Sequence, residues 1–151
     1  MTPDDIQWVR EYAVGVDSID NAHRELFAIV RRLHIITEQE KRYQWVAEEG
    51  IKYLKRYALK HFEDEEAYMR AIRYPGLPGH LLQHEGFRTR VLPRVEGHLA
   101  AAGYSPDAIQ RFLTILRLWI TRHILVHDKN IRPEGADTDT AAESRAKHNT
   151  F

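Results

Sequence analysis

Seven side chains of this sequence have the types and spacings that metal binding needs. Five are histidines and two are carboxylates: His23, His61, Glu65, His80, His84, His123 and Asp128. Two pairs, His61 with Glu65 and His80 with His84, are four residues apart, which stacks both side chains on one face of an α-helix. Imidazole with carboxylate is a ligand set for iron and, less specifically, for zinc or manganese. Seven ligands divide more naturally over two metal ions than over one.

A single pair of this kind is weak evidence, because many helices carry one by chance. In this sequence two pairs fall on neighbouring predicted helices, and further candidates fall on the other two. The alternative is a core in which these polar groups satisfy one another. That alternative is costly, because buried carboxylates and imidazoles need partners at good geometry. Metal coordination removes the cost, so the pattern favours a metal site.

Four helices must position these side chains. Apolar residues recur near the i, i+3, i+4, i+7 spacing in four segments, residues 18–39, 43–72, 79–102 and 105–131. Pro93 should kink or interrupt the third helix, and Ser105-Pro106 has the residue types that begin a helix. Helices of about 20–30 residues with short connections predict an all-α, antiparallel up-down-up-down four-helix bundle. Residues 2–17 are expected to form an extended N-terminal arm.

The composition bounds the remaining possibilities. The 151 residues correspond to one domain, for which we expect residues 1–132, followed by a polar and mobile tail at 133–151. Lys+Arg and Asp+Glu both number 22, so bulk charge attracts neither nucleic acid nor anionic lipid. Cysteine is absent, which excludes disulfides, thiolate zinc sites, iron–sulfur clusters and cysteine nucleophiles. Without a secretory signal or a long apolar run, a soluble cytoplasmic protein with no membrane insertion is expected.

Other metal and hydrolase patterns are missing from the sequence. Carboxylate-rich di-iron bundles carry Glu-x-x-His on two helices, but no glutamate lies three residues before any histidine here. The sequence also lacks the His-Glu-x-x-His motif of metalloproteases and the Gly-x-Ser-x-Gly motif of hydrolases. The candidate site is therefore rich in imidazole.

Four segments of the sequence resemble one known family. They are Trp8-x-x-x-Tyr12-x-Val14-Gly15-x-x-x-Ile19-Asp20-x-x-His23; His61-Phe62-x-x-Glu65-Glu66-x-x-Met69; Tyr74-Pro75 leading to His80-x-x-x-His84-x-x-Phe87; and Trp119-x-x-x-His123-Ile124-x-x-x-Asp128. Together they resemble the bacterial hemerythrins, which are non-haem di-iron proteins that bind oxygen. The resemblance covers about residues 6–131 and includes all seven family ligands in order.

The resemblance implies a role for each ligand. One iron would be held by His80, His84 and His123. The other would be held by His23 and His61, with one position left open. The carboxylates Glu65 and Asp128 would bridge the two irons beside an oxo or hydroxo group. Dioxygen would bind end-on at the open iron as hydroperoxide and leave again, and the side chains that would wall the pocket are Trp119, Ile120 and Phe62.

An oxygen carrier or store, and not an enzyme, is therefore the expected function, with secondary peroxidase or oxidase activity conceivable at the same site. The alternatives are a di-iron oxidase or peroxidase, a nitric-oxide scavenger, and an oxygen or redox sensor. We expect no fused output domain, which disfavours the sensor. Dioxygen is the expected ligand, an oxygen-consuming enzyme is the candidate partner, and a monomer is expected.

Two positions need separate comment. His127 lies four residues after His123, so spacing alone favours it over Asp128, whose five-residue separation gives an offset of about 140°. The resemblance nevertheless selects Asp128, and we expect His127 to be exposed near the helix end, where the dipole favours its charged form. Ile120 stands where the family usually has leucine, and we hypothesise that this stiffer side chain alters oxygen access and autoxidation. We expect surface positions for His34, His98 and His148.

Overall fold

Four long helices form the molecule in the computed structural model, which describes residues 5–131. Helix α1 is Asp17–Glu38, α2 spans 43–71, α3 spans 77–101, and α4 is Pro106–Val126. No strand occurs in this range, and the predicted all-α four-helix bundle is confirmed. Within the same residues, no helix combines the length and the apolar character needed to cross a membrane.

Helices α2 and α3 each contain one widened turn. In α2, Tyr43–Trp45 is followed by the π-helical turn Val46–Gly50 and then by Ile51–Ala71. In α3, Leu77–Gly86 is followed by the π-helical turn Phe87–Val91 and then by Leu92–Ala101.

The wide turn in α3 accommodates Pro93. Proline has no N–H, and its ring clashes with the carbonyl four residues before it in a regular α-helix. Directly before the proline, the N–H of Leu92 donates to the carbonyl of Phe87, five residues back. This spacing loosens the turn that faces the proline ring. The predicted interruption is therefore a local widening, and α3 continues through it.

Helix α4 begins as its sequence predicts. The side chain of Ser105 accepts a hydrogen bond from the N–H of Ala108 at 3.2 Å. Pro106 occupies the first helical turn, where its missing N–H costs nothing. This cap sets the register of the helix that carries His123.

An apolar core joins all four helices. Its largest fully buried members come from every helix and from the N-terminal segment, and include Ile6, Leu26, Leu54, Phe87, Phe112, Leu113 and Leu116. The segment at 5–16 contains no α-helix, but a 3-10 turn at Arg10–Tyr12 means that it is not extended throughout. Tyr12 of this turn stacks on Phe27 with ring centroids 5.4 Å apart. The predicted tail at 133–151 lies outside the described residues, so the domain boundary stays a prediction.

Candidate metal centre

All seven predicted ligands meet in one buried cluster. Helix α1 contributes His23, α2 contributes His61 and Glu65, α3 contributes His80 and His84, α4 contributes His123, and Asp128 follows α4. Each of these residues is at most 5% exposed. The four-residue spacings in α2 and α3 place each pair on the face that packs inward, as the helical period requires.

The cluster consists of two groups that share their carboxylates. Glu65 and Asp128 belong to both groups, and within each group the candidate ligand atoms lie within 4.8 Å of one another. Three imidazoles complete the first group: His80, His84 and His123. Two complete the second: His23 and His61. The arrangement has five potential ligands on one side and four on the other.

Glu65 directs one oxygen to each group. Its Oε1 lies 2.8 Å from Nε2 of His80 and 3.2 Å from Nε2 of His84. Its Oε2 lies 3.3 Å from Nε2 of His61 and 3.8 Å from Nε2 of His23. A carboxylate in this position can bridge two cations.

Asp128 is placed in the same way. Its Oδ1 lies 3.0 Å from Nε2 of both His80 and His123, and its Oδ2 lies 3.0 Å from Nε2 of His23. These distances are short, but the atoms are not aligned as in a hydrogen bond. Both oxygens of Asp128 and Nε2 of His23 are buried and have no hydrogen-bond partner among the described residues. Lone pairs that converge without donors fit a cation between them.

The electrostatics of the cluster also suit a cation. Burial raises the pKa of Glu65, but the surrounding imidazoles of His123, His61 and His80 outweigh burial and hold it well below its usual range. Burial and the charge of Glu65 raise the pKa of Asp128, yet His123 more than compensates, and the result is again well below the usual range. Both acids are therefore ionised. Burial lowers the pKa of His123, but Asp128 and Glu65 outweigh burial and raise it to about 9, so this imidazole carries a proton that a bound metal ion would replace.

The position of Asp128 follows from a change in the backbone. Helix α4 ends at Val126, and Asp128–Asn130 forms a 3-10 turn. The amide of Asn130 donates to the carbonyl of Val126 at 2.7 Å, which satisfies an acceptor at the end of the helix. The angular offset expected for a continuing α-helix therefore does not apply to Asp128.

The expectation for His127 is wrong. Its side chain is partly buried, with its ring centroid 5.3 Å from that of His123 and 6.1 Å from that of His80. Burial, with the nearby His123 and His80, lowers the pKa of His127 to about 4. The neutral form is favoured, because burial and like charges outweigh the helix dipole. His127 belongs to neither group of candidate ligands.

Aromatic rings cover two of the imidazoles. Phe62 is buried and stacks on His84 with centroids 4.2 Å apart and planes 13° apart. Trp119 is partly buried and stacks on His123 with centroids 4.7 Å apart and planes 11° apart. Ile120 is buried in the core on the same helix as His123. The three predicted wall residues thus lie in or beside the cluster's apolar surroundings.

Sequence reasoning missed the burial of Glu66 and of His34. Glu66, which is 8% exposed, accepts a hydrogen bond from Nδ1 of His84 at 2.6 Å. His34, expected at the surface, is buried and its Nδ1 contacts Oε1 of Gln110. The one available signal for Glu66 was a second acid directly after Glu65, whereas His34 depends on a partner far away in the sequence. His98 is exposed as predicted, and His148 lies outside the described residues.

Fold and site together define a four-helix bundle whose core carries a histidine–carboxylate cluster capable of holding metal. A family model described as the hemerythrin HHE cation binding domain matches residues 14–134, and the chain belongs to the hemerythrin family. This confirms the resemblance found in the motifs.

Named relatives cover most of the chain. The bacteriohemerythrin of Clostridium acetobutylicum is 34% identical over 127 residues, which are 81% of this chain and 95% of the relative. The hemerythrin of Siphonosoma cumanense is 29% identical over 126 residues, or 83% of this chain and 90% of the relative. The bacteriohemerythrin of Stenotrophomonas maltophilia is 27% identical over 122 residues, or 81% and 76%. No solved structure matches the chain significantly.

Proposed function

We propose that this protein binds dioxygen reversibly, as a carrier or store, at a centre of two iron ions. The observation that carries the proposal is the placement of the two carboxylates. Glu65 and Asp128 each direct one oxygen to a group of three imidazoles and the other to a group of two. The hemerythrin family match supports the same conclusion.

This geometry supports the following ligand roles. His80, His84 and His123 would hold one iron, and His23 and His61 would hold the other. Because both carboxylates are shared, the two-imidazole group offers one protein ligand fewer, and an iron held there would have room for dioxygen.

An iron pair held by these residues would supply the two electrons that reversible oxygen binding requires. The chain's contribution is the environment of that exchange. Five imidazoles carry less negative charge than a carboxylate-rich site, so the ferric state is stabilised less and the electrons can return. Phe62 and Trp119 cover the ligand rings with apolar surface, which restricts the access of water and protons.

The functional unit in this proposal is the bundle, residues 1–132, acting as a monomer in the cytoplasm. Its ligand is dioxygen, and an oxygen-consuming enzyme is the partner to which it would deliver. Size-exclusion chromatography of the iron-loaded protein tests the monomer directly.

The experiment is a cycle of anaerobic reduction, admission of oxygen and removal of oxygen, followed by visible absorption with iron counted on the same sample. Two irons and a charge-transfer band that appears with oxygen and disappears on its removal are expected. Two irons with immediate, irreversible oxidation would contradict reversible binding and favour the oxidase, peroxidase or redox-sensing alternatives. His61→Ala should lose the reversible band, whereas the matched control His98→Ala, at an exposed histidine, should keep it.

A further inference from the structure

Behind His84 lies a second carboxylate that contacts no other candidate ligand by hydrogen bond or ion pair in the described part of the chain. Glu66 follows Glu65 in α2 and therefore points about 100° away around the helix. Its Oε2 accepts a hydrogen bond from Nδ1 of His84 at 2.6 Å. Oε1 of Glu65 lies 3.2 Å from Nε2 of the same ring, so the two adjacent acids contact the two different nitrogens of one imidazole.

Arg88 holds this carboxylate from the other side. Its Nη1 lies 3.0 Å from the same Oε2 of Glu66. Its guanidinium carbon lies 5.6 Å from the ring centroid of Phe62, the ring that stacks on His84. Glu66 thus lies between two donors, His84 and Arg88. The ring of Phe62 lies against both of these donors and completes one connected unit.

This arrangement distinguishes His84 from two of the other imidazoles. His23 and His123 each have a buried Nδ1 with no hydrogen-bond partner in residues 5–131. His84 belongs to the three-imidazole group, whose metal has no vacancy for oxygen in the proposed function. The carboxylate would therefore act on the metal that is held by three imidazoles and is not the proposed site of oxygen binding.

We propose that Glu66, held by Arg88, is a positioning residue that fixes the tautomer and orientation of His84 and lowers the reduction potential of its metal. The inference rests on the proposed function. A carboxylate that accepts a hydrogen bond from Nδ1 keeps the proton on that nitrogen. The lone pair of Nε2 is then free to bind a metal, and the imidazole becomes more basic. A more basic ligand stabilises the ferric state over the ferrous state. The positive charge of Arg88 partly offsets the negative charge of Glu66 and so limits this effect.

The first test compares Glu66→Gln with Glu63→Gln. Glutamine keeps the size of Glu66 and an acceptor oxygen but removes the charge, and Glu63 is an exposed acid on the same helix. In the metal-free protein, chelator competition should show Co²⁺ affinity about 10-fold lower for Glu66→Gln, the lower end for a lost carboxylate–histidine contact. In the iron-loaded protein, its ferric-to-ferrous ratio at fixed potential should fall about tenfold, equivalent to a rise of about 59 mV for one electron. Glu63→Gln should match the wild type in both.

The second test is a double-mutant cycle with Arg88→Gln. Alone, this variant should lower the potential, because Glu66 then carries its full charge against His84. In the Glu66→Gln background it should have no further effect if Arg88 acts through the carboxylate. A generally loosened site would instead shift both single variants in the same direction. Arg88→Gln also leaves the carboxylate in place, so it tests the inference if Glu66→Gln does not fold.

The outcomes separate this inference from the proposed function. Equal Co²⁺ affinity and equal potential for Glu66→Gln and Glu63→Gln would overturn the inference even with reversible oxygen binding intact. A wild-type protein that holds no pair of irons would overturn the proposed function, and the Co²⁺ affinities would still decide whether Glu66 positions His84.

Discussion

Asp128 reaches the cluster because helix α4 ends at Val126 and Asp128 begins a 3-10 turn. The carboxylate lies 3.0 Å from three imidazole nitrogens, whereas the His127 ring lies beside the cluster without joining either group of candidate ligands. Of these two neighbouring residues, Asp128 is therefore a candidate ligand and His127 is only close to the cluster.

This difference predicts opposite outcomes for two alanine variants. Asp128→Ala should lose iron, because it removes a shared ligand and leaves Glu65 as the sole bridge. His127→Ala should keep two irons per chain. The measurement is iron content after reconstitution and desalting. Equal iron loss in both variants would contradict the assignment of Asp128.

The burial of His34, near the C-terminal end of α1, predicts how the stability of the protein depends on pH. Burial lowers the pKa of His34 from 6.5, with Arg117 in support and with Gln110 and Glu38 opposing. The folded state thus binds fewer protons than the unfolded state, so stability falls as the pH drops below about 6.5 and stops falling below the folded-state pKa.

The variant His34→Gln should reduce that loss. Urea unfolding at about pH 7.5 and about pH 5.5 gives the change in unfolding free energy for each protein, and the difference between them cancels the other titrating groups. The wild type should lose more stability on acidification than His34→Gln. An identical loss in the two proteins would show that burial of His34 has no part in it.

At the scale of the elements, two helical glycines have contrasting surroundings. A Cβ at Gly50, in the wide turn of α2, would lie 2.6 Å from Cδ2 of the buried Leu33 in α1. A Cβ at Gly97, on the exposed side of α3, would meet nothing within 4 Å. One glycine permits close helix packing and the other has no such requirement.

Alanine substitution should therefore change stability in opposite directions. Gly97→Ala should stabilise by up to about 1 kcal/mol, since alanine favours the helix. Gly50→Ala gains the same propensity but overpacks Leu33 at a cost of about 1–3 kcal/mol, so net destabilisation is expected. Urea unfolding of both variants against the wild type measures this. Stabilisation by Gly50→Ala would mean that Leu33 moves aside freely.

At the scale of the whole molecule, patterns of residues close together in the sequence were sufficient to predict the bundle. The apolar period placed four helices, and Ser105-Pro106 marked the start of α4 as found. The four-residue spacings put His61 with Glu65 and His80 with His84 on inward faces. These features depend on residues within a few positions of one another, where helical geometry alone decides.

The features that could not be predicted depend on distant partners or on the end of a helix. Spacing could not place Asp128, since its position follows from a helix that ends at Val126. His34 is buried against Gln110, 76 residues away, and Glu66 acts on His84, 18 residues away. Only the packing of one helix on another brings such pairs together.

The cluster takes its candidate ligands from all four helices, so a bound metal should stabilise the whole bundle. A ligand that binds only the folded state adds about 2.7 kcal/mol when its concentration is 100 times its Kd. For a protein of this size that corresponds to a rise of roughly 5–11 °C in Tm. Calorimetry of the iron-loaded and chelator-treated protein should show at least this difference. Asp128→Asn, which removes one bridging charge, should gain less on adding Co²⁺. The same Tm with and without metal would mean that the seven side chains satisfy one another, and that the cluster is a polar core instead of a metal centre.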